Sequence, residues 1–132
     1  MSELPNGYRD RPDYRVDVLA RTNLITAEFD GRTLASSDAC LLVDEQDHGL
    51  VVYFPPESVD LDALEPVEGL HTICPFKGQA SYWKVPGAAH ESVAWTYRDP
   101  HPPAARIAGY IAFDQSLARV SIGPGHFTGV RP

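Results

Sequence analysis

Leu24-Ile25-Thr26-Ala27-Glu28-Phe29, followed by Asp30-Gly31 and then Arg32-Thr33-Leu34-Ala35, is the stretch on which the fold reading rests. Asp-Gly between two β-compatible segments is a strong hairpin signal, because both central residues of a type I′ turn sit at positive φ. Outward from this hairpin the same rhythm of short apolar runs and turn residues continues. Cys40-Leu41-Leu42-Val43 reads as a buried strand, residues 44–49 as an acidic turn, and Leu50-Val51-Val52-Tyr53-Phe54 as a strand stopped by Pro55-Pro56. Residues 79–85 and 92–97 alternate in polarity on either side of Pro86-Gly87, and residues 107–113 and 117–122 supply the last strands. Alternation places Tyr82 and Trp83 on opposite faces of their strand, so they cannot line the same cavity. The expectation is an all-β chain of eight or nine short antiparallel strands in a tent-like or barrel-like pair of sheets. One helical turn is expected over 57–64, with Ser58 as its N-cap and Val59, Leu61 and Leu64 on its apolar side.

Length and charge narrow the functional classes. The 132 residues suit one domain, long enough to bury a core without metals or disulfides. Residues 1–15, interrupted by Pro5, Gly7 and Pro12, read as a flexible lead-in, 16–122 as the domain and 123–132 as a tail. Eleven basic against 18 acidic side chains leave a net charge of −7, which opposes the phosphate grip of nucleic-acid binders and adhesion to anionic membranes. The polar start lacks the apolar core of a signal peptide, and no run is long enough to span a bilayer, so a cytoplasmic location is expected. Cys40 and Cys74 are expected as reduced thiols, and no feature selects monomer over homodimer.

The densest chemistry lies in His71-Thr72-Ile73-Cys74-Pro75-Phe76-Lys77-Gly78-Gln79-Ala80-Ser81-Tyr82-Trp83. Pro75 biases Cys74 toward extended backbone and Gly78 permits a sharp turn, so a thiol and an ammonium three residues apart can approach. A nearby lysine activates a thiol, which makes Cys74 and Lys77 the candidates for catalysis. The competing structural reading is a buried cysteine beside a solvent-facing lysine. Zinc is not expected: His71-x-x-Cys74, with Cys40, His48 and His90 far away in sequence, lacks the paired cysteines of a structural site. Asp60-x-Asp62 lacks the third carboxylate and phosphate-cradling turn of nucleotidyl transfer and reads as a solvated acidic turn. Tyr82, Trp95, Tyr97 and Tyr110 are candidate pocket walls, with Lys77 and Asp99 as polar anchors.

The blocks Cys74-Pro75-Phe76-Lys77-Gly78, Ala80-Ser81-Tyr82, Trp95, Tyr97, Asp99-Pro100 and Gly109-Tyr110, with Val52-Tyr53-Phe54-Pro55 upstream, carry a resemblance. Over residues 16–122 the chain resembles the "domain of unknown function 427" family. The resemblance implies a single all-β domain similar in topology to methionine sulfoxide reductase B, whose zinc-binding cysteine pairs are missing here. The family sometimes carries a nucleotidyltransferase label, but no catalytic residue transfers with it. Two functions are weighed at this point. One is a site for a small polar or anionic ligand, nucleotide- or sugar-like, bound without a cofactor near the Cys74–Lys77 turn. The other is a non-catalytic scaffold or interaction domain whose signature residues hold the sheets together.

Overall fold

A computed structural model describes residues 4–125. Ten strands form two antiparallel sheets: β1 (Val16–Ala20), β2 (Ile25–Phe29), β3 (Arg32–Ser37), β4 (Leu41–Glu45), β5 (Gly49–Phe54), β6 (Glu65–Cys74), β7 (Gly78–Lys84), β8 (Ala94–Tyr97), β9 (Ile111–Phe113) and β10 (Arg119–Ile122). Seven of them run in the order β1-β4-β5-β9-β8-β7-β6, and three in the order β10-β2-β3. The Asp30-Gly31 hairpin joins β2 to β3 with φ at 52° and 80°, the left-handed pair that a two-residue turn of this kind requires.

Three local expectations are corrected by the structure. The helical turn over 57–64 is instead two separate 3₁₀ turns, Pro56–Ser58 and Leu61–Ala63. Val59 is extended between them, and the Ser58 hydroxyl donates to the Pro55 carbonyl at 2.7 Å, so it does not act as an N-cap. The strand expected over 107–113 is only Ile111–Phe113, because Pro102-Pro103 open a 3₁₀ segment and Gly109 turns the chain at φ 77°. β6 extends upstream to Glu65, across an irregularity in its pairing with β7 between Pro66 and His71. With β1 (Val16–Ala20) ahead of the hairpin the count is ten strands, where eight or nine were expected.

Alternation decides what each face of the large sheet carries. One face packs Phe54, Ile111, Phe113 and Ala94 against Ile25, Ala27 and Leu34 of the small sheet, with Trp83 at the margin. Phe54 and Phe113 meet edge to face at 5.6 Å, and each such buried ring contributes about 1.5–3 kcal/mol of transfer free energy. The opposite face gathers Leu41, Val43, Tyr53, Ala80, Tyr97 and Ala112, and is covered by Ala104 and Ile107 of the 3₁₀ segment Pro102–Ile107. Trp83 and Tyr82 thus belong to different clusters, as the alternation required. Among the described residues, no helix is long and apolar enough to cross a membrane.

Candidate functional site

The turn between β6 and β7 is built tightly against its neighbours. Gly78 follows Lys77 at φ 118°, a backbone conformation that strains any side chain, and it packs against the Asp99 carbonyl oxygen, which a Cβ there would meet at an ordinary contact distance of 3.4 Å. The Lys77 carbonyl accepts from the His101 amide at 3.0 Å, which ties the turn to the loop after β8. The lysine side chain points inward. Its Nζ donates to Glu45 Oε1 in a buried ion pair, and lies 5.9 Å from the centre of the Tyr97 ring. The second carboxylate oxygen of Glu45 accepts from the Tyr14 hydroxyl at 2.6 Å, and His48 Nε2 lies 3.5 Å from it. Glu45 is 2% exposed, so both its charge and its lone pairs are met by protein groups.

The lead-in closes over this turn. Gly7 N–H donates to the Pro75 carbonyl at 2.9 Å, and the Tyr8 hydroxyl donates to the Phe76 carbonyl at 3.0 Å. Tyr14 stacks on the Phe76 ring at 3.6 Å between centroids. Burial, reinforced by the hydrogen bond to Glu45, pushes the Tyr14 hydroxyl up to about 12. Tyr53 and Tyr97 are raised as well, chiefly by burial. The three phenols are therefore held neutral around the ion pair.

The candidate residues divide into two groups. Cys74, Tyr82, Trp95, Tyr97 and Tyr110 all pack in the Tyr53 cluster, on the face that carries Glu45 and Lys77. Tyr82 sits directly opposite Trp95 in the β7–β8 register, its hydroxyl bonded to Thr72 at 2.6 Å, while the Trp95 indole N–H donates to Tyr53 at 3.2 Å. Asp99 stands apart from this group. It lines two clefts, one of about 440 Å³ with Arg9 and His101, the other of about 280 Å³ with Gln79, Ser81 and Arg98. A third cleft of about 210 Å³, bordered by His71, Ser81, Tyr82 and Arg98, adjoins the second. Through their shared residues the three form a groove along β7, and Lys77 lines none of them. A separate cleft of about 310 Å³ opens over Phe29, Leu34, Ala63 and Val85.

Glu45, Tyr14 and Arg98 were not singled out from the sequence, and Tyr53 and Ser81 entered only as members of the resemblance blocks, with no role assigned. Glu45 had a signal: it continues the inward alternation Leu41, Val43, where a carboxylate demands a partner. Tyr14 had none, because its contact with Glu45 depends on how the lead-in folds back. Both cysteines are free thiols, Cys40 buried and pushed up to about 11 by that burial. Among the described residues, no group of three or more His, Cys, Asp or Glu side chains could hold a metal ion.

Residues 17–122, which span all ten strands but for the first residue of β1, match the family described as domain of unknown function (DUF427). The chain belongs to the DUF427 family. No curated protein matches it. In this DUF427 chain the ordered blocks of the resemblance fall on β5, on the β6–β7 turn, on β7 and β8, and on the loop segments that follow β8 and precede β9. They describe one contiguous part of the large sheet.

Proposed function

We propose that this chain is a binding domain for a small polar or anionic molecule, sugar- or nucleotide-like, held in the groove along β7 beside the Cys74–Lys77 turn. The observation that supports this reading most is Arg98. Its guanidinium lies 5.8 Å from the centre of the Trp83 ring and has no ion-pair partner among the described residues. It borders two adjoining clefts with Ser81 between them. A guanidinium beside an indole and left without a carboxylate has donors to offer an oxyanion. In this reading Lys77 does not meet the ligand. Its ammonium is spent on Glu45, and its backbone carbonyl holds the His101 loop that carries Asp99. Cys74, Trp95, Tyr97 and Tyr110 pack in the Tyr53 cluster and line none of the groove's clefts, whereas Tyr82 borders the cleft shared with Arg98.

The scaffold reading draws on the Glu45 cluster, in which the carboxylate is met by the Lys77 ammonium and the Tyr14 hydroxyl, so that these groups serve the fold. A thermal-shift screen of nucleotides, sugar phosphates and small carboxylates separates the two. Stabilisation of the wild type that disappears in Arg98→Ala supports the groove. A folded wild type that no compound stabilises supports the scaffold, and equal stabilisation of both proteins removes Arg98 from the site.

A further inference from the structure

Arg98 and Asp99 are adjacent in sequence and opposite in charge, and both border the cleft of about 280 Å³ whose floor is Gln79 and Ser81. They do not neutralise each other, since no ion pair within 4.0 Å joins them, and neither is paired elsewhere among the described residues. Arg98 leans toward the His71 end of the groove through its second cleft, and Asp99 toward the His101 end through its own. The cleft they share is thus bordered by one charge of each sign, while Arg9 borders the neighbouring cleft on the Asp99 side. Leu4 supplies apolar surface, and Ser81 and Gln79 supply neutral hydrogen-bonding groups.

We infer that the ligand of this groove is a small zwitterion, a molecule of free amino acid type with its carboxylate on Arg98 and its ammonium on Asp99. The inference rests on the groove reading above and narrows it. Two physical arguments favour a zwitterion over a net anion. The first is local complementarity: an anion alone would satisfy Arg98 but leave the Asp99 carboxylate facing it across the same cleft. The second is the protein's field. At a net charge of −7 the chain repels anions at long range, whereas a molecule of zero net charge approaches without that penalty and still makes both contacts. The carboxylate geometry also suits a guanidinium, which can meet both oxygens at once.

Calorimetric titration of the full chain with a panel of free α- and ω-amino acids tests this, each alongside its carboxyl-amidated and N-acetylated derivatives and alongside sugar phosphates. The expected result is binding of a free amino acid that weakens about tenfold on amidation and on acetylation, as loss of one charge-assisted contact does. The variants give a crossed pattern that a merely structural role would not. In Arg98→Gln the amidated compound binds as well as the free one, because the partner of the carboxylate is gone. In Asp99→Asn the N-acetylated compound does. Both residues are exposed, so neither variant threatens folding. Binding of sugar phosphates alone, abolished by Arg98→Gln and untouched by Asp99→Asn, overturns the zwitterion while leaving the groove reading in place. If no compound of either class binds to the folded protein, both fall.

Discussion

The Tyr14 hydroxyl donates at 2.6 Å to the carboxylate of Glu45, which on its other oxygen holds Lys77. Glu45 is thereby shared between the lead-in, through Tyr14, and the signature turn, through Lys77. Tyr14 is the one described residue before β1 that is buried, so it is the deepest of several ties, the others being the hydrogen bonds of Gly7 and Tyr8 to the turn. Replacing Tyr14 by Phe keeps the stack on Phe76 and removes only the hydrogen bond. The expected cost is about 1–3 kcal/mol, because a buried carboxylate loses a partner. Urea unfolding of the two proteins measures it.

The same contact makes stability depend on alkaline pH. The Tyr14 hydroxyl is raised from its ordinary 10 to about 12, so the folded protein resists losing that proton while the unfolded chain does not. Its contribution is complete below pH 10 and is lost as the pH rises from 10 toward 12. Tyr53 and Tyr97 are raised in the same sense and add to the decline. Unfolding followed from pH 9 to 12 should show falling stability, less steep in Tyr14→Phe.

The Glu45–Lys77 pair should behave as a buried unit. Lys77→Met alone leaves a carboxylate with one partner in an enclosed site, and Glu45→Gln alone leaves an ammonium there, each costing about 3–5 kcal/mol. Glu45→Gln combined with Lys77→Met should cost clearly less than the two added together. Additive losses would show that the charges do not sense each other.

The two thiols should react at different rates. Cys40 is 1% exposed and its thiol is pushed up to about 11, so little thiolate forms near neutral pH. Cys74 is partly exposed at the end of β6. Alkylation followed by intact mass and peptide mapping should mark Cys74 first, with Cys40 labelled only on denaturation.

Gly7 tests how closely the lead-in is seated. A Cβ at this position would lie 2.6 Å from Cε1 of Phe76, whose ring is held by Tyr14, so Gly7→Ala must displace one of them. Trypsin should then cut after Arg9, which Asp10 follows, faster than in the wild type, with the melting temperature of the β core little changed. Unaltered cleavage would show that the ring yields without loosening the segment.

Most of the β architecture was legible before any coordinates. The Asp30-Gly31 turn, the alternation through Ser81-Tyr82-Trp83 and the proline stops needed only local steric rules, and these rules act between residues a few positions apart. Misreadings occurred where local signals conflicted. At 57–64 the apolar spacing of Val59, Leu61 and Leu64 suggested a helix, yet the turn that Pro56 opens ends at Ser58, and Val59 is extended and pairs in an isolated bridge with Ala35. At 107–110 an apolar run looked like strand, but Gly109 turns the chain there.

The candidate site was legible in a different and lesser way. Pattern and resemblance drew attention to the segment 74–83 and placed Tyr82, Trp95 and Tyr97 on neighbouring strands, where facing strands align residues of like parity. They did not reveal which of its charges are free. Lys77 looks like the available cation in the sequence and is the one consumed by Glu45, 32 residues away; Arg98 looks incidental and borders the groove. Charge pairing is settled by distances through space between segments that share no local sequence signal. Backbone geometry is therefore written along the chain, whereas the pairing of Tyr14, Glu45 and Lys77 exists only once β4, the β6–β7 turn and the lead-in have been brought together.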